Sequence, residues 1–193
     1  MTSEKGSWML RFLVILMLGL SCYVFVFLPG GEQTQQKPQP RPLAANLSPE
    51  ELKQVRGEYL RLVQPEITRL QKDLEKLLQQ YQKIIRDAER TGDMFATYYN
   101  LGVIERTSMN YQAVVQLPDS MPDDVKKLIE EAMDDYNQAA FAIRQACREI
   151  RNLIDEGKFR SAEKALDYTK LAVGSKSSGD LKIVSAKLLL GFR

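Results

Sequence analysis

The sequence predicts an all-α protein: a single N-terminal transmembrane helix, a flexible Pro/Gln linker, then a helical bundle or helical-hairpin domain with two long helices. Three observations carry this expectation. Phe12 to Leu28 is a run of 17 residues without a charge. Two later stretches repeat apolar residues in alternating steps of three and four, the heptad rhythm of packed helices. Finally, no stretch reads convincingly as a strand, and only Tyr111 to Leu117 is ambiguous.

The first element is the anchor, residues 1–29 with its short N-terminal tail. Its 17 uncharged residues span about 25 Å as a helix, against a hydrocarbon core of about 30 Å. Arg11 can snorkel to the headgroups and Trp8 suits the interfacial aromatic belt, which lengthens the span toward the N-terminus. A cleaved signal peptide is the rival reading, but the run is long and Pro29-Gly30-Gly31 is a poor cleavage site. Lipidation at Cys22 would need a different spacing from Leu18-Gly19-Leu20-Ser21. Lys5, Arg11 and the α-amino group precede the run, and Lys37 and Arg41 follow it. The positive-inside rule then favours a cytoplasmic N-terminus and an extracytoplasmic domain, with a bacterial inner membrane as the favoured location.

The linker is residues 30–47. A polar Glu32-Gln33-Thr34-Gln35-Gln36 run leads into Pro38, Pro40 and Pro42, alternating with Lys37, Gln39 and Arg41. Such a segment cannot bury a core and favours an extended polyproline-like chain.

The all-α domain occupies residues 48–193. Ser48-Pro49-Glu50-Glu51 is a strong helix start, with Ser48 as N-cap, Pro49 in the first turn and Glu51 closing a capping box. The helical pattern runs to Arg90 and stops at Thr91-Gly92, with a kink or break expected at Pro65. Its seam is Ile67, Leu70, Leu74, Leu77, Tyr81, Ile84 and Ala88, flanked by Leu78 and Ile85. That face is wider than a two-stranded coil needs and suits a bundle. Asp93 can cap a shorter helix reaching Met109. Ser120 and Pro122 open another long helix, with the seam Ile129, Ala132, Tyr136, Ala139, Ile143, Ala146, Ile150 and Leu153, bordered by Met133, Ala140, Cys147 and Ile154. Gly157 should end it. A helix from Phe159 to Ala172, a Ser/Gly loop from Gly174 to Gly179, and a last helix from Leu181 to Leu190 capped by Asp180 complete the expectation.

Composition excludes several functions. A net charge of +2 argues against a dedicated nucleic-acid binder. The chain has no histidine, which removes the commonest general base, the usual triads and most zinc sites. Cys147 is the only cysteine outside the apolar run, so neither a disulfide nor a cysteine metal cluster is expected within the domain. No catalytic residue, metal or cofactor is therefore expected.

The candidate partner-binding residues are Tyr98, Tyr99, Arg144, Arg148 and Arg151. The tyrosines belong to an aromatic-rich short helix with Met94 and Phe95, and any surplus left exposed suits an interface. The arginines line the second half of the long helix, whose first half is acidic, and could dock an acidic partner or anionic headgroups. Tyr99-Asn100-Leu101-Gly102, with Asn110-Tyr111 near the turn, faintly resembles the first helix of a tetratricopeptide repeat. Gly157-Lys158-Phe159 with Ala162 resembles the turn and second helix of another copy. The turn aromatics Tyr111 and Phe159 lie 48 residues apart, whereas such repeats recur at about 34. Glu149-Ile150 also replaces the Leu-Gly pair, and Pro118 cuts the first copy short. The expected function is a non-enzymatic, membrane-anchored scaffold or adaptor subunit of an envelope or membrane complex, with a protein partner or self-association. The alternatives are a tetratricopeptide-like peptide-binding module and an oligomeric coiled-coil membrane spacer.

Overall fold

The computed structural model describes residues 46–192, so the expected membrane segment and nearly all of the linker lie outside the described residues. Among the described residues all regular structure is helical, with no strand. The elements are α1 (Pro49–Glu58), a π-helical turn (Tyr59–Val63), α2 (Gln64–Thr91), α3 (Met94–Met109), α4 (Asp123–Glu156) and α5 (Phe159–Leu189). The first three follow without interruption, giving four helices.

The helix starts and stops form as the sequence chemistry dictates. Ser48 accepts a hydrogen bond from the Glu51 amide at 3.3 Å while Glu51 accepts from the Ser48 amide at 2.8 Å, a complete capping box. Asp93 accepts from the Ala96 amide at 2.9 Å. Gly92 and Gly157 end α2 and α4 with φ of 67° and 65°, a conformation that a Cβ disfavours.

Three expectations are corrected. Of the kink or break expected at Pro65, the break is absent: the chain stays helical there. It widens just ahead, where the Gln64 amide donates to the Tyr59 carbonyl five residues back. A proline ring crowds the carbonyl four residues before it, here that of Arg61, and a widened turn relieves such crowding. The turn also corrects phase. Val55, Tyr59, Val63 and Ile67 are all buried at steps of four, and each such step in a regular α-helix drifts by about 40°.

The second correction concerns Gly174 to Gly179, which is helical throughout, so α5 is continuous and Asp180 lies inside it rather than capping a separate helix. Glycine and serine are poor helix formers, but packing overrides propensity here. Ala162, Ala165, Thr169, Ala172, Ser175, Gly179, Ile183, Ala186 and Leu190 are buried in steps of three and four. A Cβ on Gly179 would lie 2.5 Å from Tyr136 Cε1, so the helix can pass that ring only without a side chain. The third correction follows from the second: three long helical stretches, not two, dominate the described residues.

The ambiguous segment Tyr111 to Leu117 is non-helical and pairs with no strand. Asn137 substitutes for one: its Oδ1 accepts from the Ala113 amide at 2.7 Å and its Nδ2 donates to the Ala113 carbonyl at 3.1 Å. The buried backbone polar groups of Ala113 are thereby satisfied.

The described residues group into two compact units. One comprises Leu77–Asn110 and Phe141–Lys170. Its interior holds Leu77, Tyr81, Ile85, Leu101, Ile143 and Cys147, and the Tyr81 hydroxyl lies 2.8 Å from Thr169 Oγ1. The other comprises 46–76, 111–140 and 171–192. Leu74, Ile129, Tyr136 and Ile183 lie in its interior, beside a polar cluster in which Gln71 Nε2 donates to Tyr136 Oη and to Asp180, each at 2.8 Å. Tyr136 donates to Asp180 at 2.8 Å, and Lys176 bridges Asp180 at 2.9 Å and Glu75 at 3.0 Å. In the same unit Arg56 donates to the Leu190 and Gly191 carbonyls at the end of α5, groups that lack helical partners there.

Candidate partner-binding surface

The five candidate residues fall in the first of these units, but they do different things. Three of them, Tyr98, Arg148 and Arg151, gather around Glu105, Arg148 while still half in solvent. Glu105, on the inner side of α3, accepts from Arg151 Nη1 at 2.7 Å and from Arg148 Nε at 3.3 Å. Its side chain is only 10% exposed, so the charge is held by the two guanidinium groups rather than by water. Tyr98 belongs to the same cluster, with the Arg151 guanidinium 4.3 Å from its ring centroid. Burial alone would lower the pKa of Arg151, but its interactions with Glu105 and Tyr98 outweigh that and raise it, so the clamp stays cationic. Arg148 and Arg151 are thus engaged in fixing α3 against α4. Arg144 is half-buried, with its guanidinium 5.0 Å from the ring centroid of Phe141.

Tyr99 faces the other way. One turn after Phe95 and one turn before Val103, it lies on an outward stripe whose members are 85% (Phe95), 63% (Tyr99) and 38% (Val103) exposed. The exposed positions of α3 are Phe95, Tyr99, Asn100, Val103, Arg106, Thr107 and Met109. Arg106 is the one charge among them, in a chain that is 27% charged. Depletion of charge with enrichment in aromatics and Met characterises interface cores. The inner side of α3 is apolar too, with Leu101 and Ile104 buried. The helix therefore carries apolar surface on both sides and buries only one.

Sequence reasoning missed Glu105, although it is the sole acidic residue between Met94 and Met109. It falls four residues after Leu101, on the buried side. Cys147 is fully buried and burial pushes its thiol pKa up, which suits a core residue rather than a nucleophile. Among the described residues no group of His, Cys, Asp and Glu could hold a metal ion, and no helix is long and apolar enough to cross a membrane. The second repeat-like piece lies between α4 and α5, of 34 and 31 residues, whereas a tetratricopeptide unit fits two helices into about 34. No family model, curated protein or solved structure matches the chain.

Proposed function

We propose that this chain is a non-enzymatic, membrane-anchored scaffold or adaptor subunit of an envelope or membrane complex, binding protein through its helical domain. The observation that carries the reading is the outer face of α3, an aromatic, nearly uncharged stripe held rigid from behind by the Glu105–Arg148–Arg151 clamp. A face of that composition costs little to desolvate and offers large, stiff side chains to a partner. The apolar run from Phe12 to Leu28 supports a single anchor, and the proline-rich linker supports a domain standing off the membrane on its extracytoplasmic side. The absence of histidine and the inert setting of Cys147 support a binding rather than a catalytic role.

The test is site-specific photocrosslinking in intact membranes. Benzoylphenylalanine at Tyr99 should give a discrete protein adduct, and the same probe at the exposed, charged-face Lys72 should not. Equal labelling at both positions, or none at Tyr99, would remove α3 as the docking surface.

A further inference from the structure

We infer that the segment 111–117 is an open strand edge, and that its occupant is the Lys37 to Arg41 stretch of the same chain, added as a short strand. One side chain, Asn137, bonds both the amide and the carbonyl of Ala113. A single carboxamide reaches both groups only where they point the same way, which is the extended conformation. Exposure alternates along the whole segment: Gln112, Val114 and Gln116 are exposed, and the residues between them are less so. A period of two marks a strand. In a strand, neighbouring residues turn their amides and carbonyls to opposite sides. Ala113 faces Asn137, so Gln112, Val114 and Gln116 present theirs on the other side. Among the described residues nothing bonds the backbone of these three. Beside the segment lies an open groove of about 490 Å³, between Leu62 and Glu66 on one wall and Val114 to Pro118 on the other.

The open groups set the chemistry of the occupant: an extended backbone with a donor and an acceptor at every second residue. Lys37-Pro38-Gln39-Pro40-Arg41-Pro42 meets that condition on one side only. Lys37, Gln39 and Arg41 keep their amides and are spaced by two, as are Gln112, Val114 and Gln116. The three prolines lack a donor and fall on the parity that faces away, where a sheet edge tolerates proline. Each of Lys37, Gln39 and Arg41 precedes a proline, which biases it toward the extended region before any contact forms. Ordering such a segment therefore costs less. Charge agrees: Glu66 is the one charged residue lining the groove, held only by an exposed pair with Arg69, and Lys37 and Arg41 are basic. The reach is sufficient. Pro49 to Leu62 is about 20 Å of helix, and the chain from Gln39 to Asn46 extends to about 23 Å. Added there, the linker holds the domain at a fixed attitude to whatever precedes Lys37.

Photocrosslinking within the full-length chain tests the inference. Benzoylphenylalanine at the exposed Val114 should join the chain to itself. Cleavage after glutamate and mass spectrometry should place the adduct in the Gln33 to Glu50 fragment, within residues 36–42. Gln39→Pro removes the central donor and should lose that adduct. Pro40→Ala, which adds an amide only on the outward parity, should keep it. Amide hydrogen exchange of residues 112–117 should be at least about fivefold slower in wild type than in Gln39→Pro, the effect of one ordinary hydrogen bond. Cooperative thermal melts of both variants show that the domain is folded. No adduct within residues 36–42, or one that Gln39→Pro leaves intact, overturns the proposal. An adduct formed only between two chains, or only with another protein, also overturns it and assigns the edge to a different strand.

Discussion

Replacing Gly179 by Ala in the middle of α5 should destabilise the protein, against the usual effect of the change. In a helix interior Gly→Ala commonly stabilises by about 1 kcal/mol. At Gly179 the added Cβ would lie 2.5 Å from Tyr136 Cε1, 2.8 Å from Cδ1 and 3.2 Å from the Ala132 carbonyl oxygen. The ring cannot swing away freely, because its hydroxyl donates to Asp180 and accepts from Gln71, each at 2.8 Å. Overpacking of this kind costs about 1–3 kcal/mol, and each hydrogen bond lost in accommodating it adds about 1 kcal/mol. The propensity gain is outweighed, leaving a net loss of about 1–3 kcal/mol. Gly174 is the internal control: it lies in the same helix, and a Cβ there meets nothing within 4 Å. Gly174→Ala should therefore stabilise, and the two variants should move the melting temperature in opposite directions, by about 2–4 °C per kcal/mol for a chain of this size. Thermal melts followed at 222 nm measure both. A Gly179→Ala protein that melts at or above wild type would refute the close passage of α5 over Tyr136, and with it the reason given for a helix through Gly174 to Gly179.

Other perturbations address the rest of the account. Leu74→Ala and Ile143→Ala, both at fully buried seam positions, should each cost about 2–5 kcal/mol in denaturant titrations, while Lys72→Ala on the exposed side should cost little. Glu105→Gln keeps the side-chain shape but removes the charge shared by Arg148 and Arg151; because Arg148 is half in water, the expected loss is near 1.5 kcal/mol, the low end for a charge-assisted pair, and a neutral outcome would deny the clamp a structural role. Val14→Asp combined with Leu18→Asp should release the protein from carbonate-washed membranes or block its insertion, since an acid in a membrane helix is costly; unchanged carbonate resistance would contradict the anchor. Tyr59 is buried and burial pushes its pKa up to about 12. The unfolded chain, with tyrosine near pH 10, then holds fewer protons than the folded one between about pH 10 and 12. The stability that Tyr59 contributes is complete below pH 10 and is lost as pH rises through that window, at up to about 1.4 kcal/mol per pH unit. Burial raises the pKa of Tyr81, Tyr111 and Tyr136 as well, so in a titration at 295 nm these three and Tyr59 should add their tyrosinate signal only as the fold opens.

The parts of the fold that were legible in the sequence rest on local chemistry. Ser48 with Glu51, Asp93, Gly92 and Gly157 mark helix ends through backbone groups within a few residues, and the structure uses each as expected. The Leu74 and Ile143 seams are legible because large apolar residues contrast with charged neighbours. The misread segments depend on distant residues. Nothing within Gly174 to Gly179 reveals that Tyr136 will lie against it, and the packing seam of α5 is built largely from Ala, Thr and Gly, which carry little hydrophobic contrast. The widened turn before Pro65 is likewise set by the need to keep Val55, Tyr59 and Val63 on one side. At the candidate surface Tyr99 was legible as a surplus aromatic. The division between Tyr98 turned in and Tyr99 turned out was not, because α3 is apolar on both sides and only Arg148 and Arg151, more than 40 residues away, decide which side Glu105 faces.

The claim that the outer face of α3 exists for binding rather than folding is tested most directly by removing it. Phe95→Ser with Tyr99→Ser alters two side chains that are mostly in solvent, so the melting temperature should stay within about a degree or two of wild type. Native gel electrophoresis of gently solubilised membranes should show the wild-type chain in an assembly larger than the monomer and the double variant as monomer alone. An assembly of unchanged size in the double variant would contradict the account.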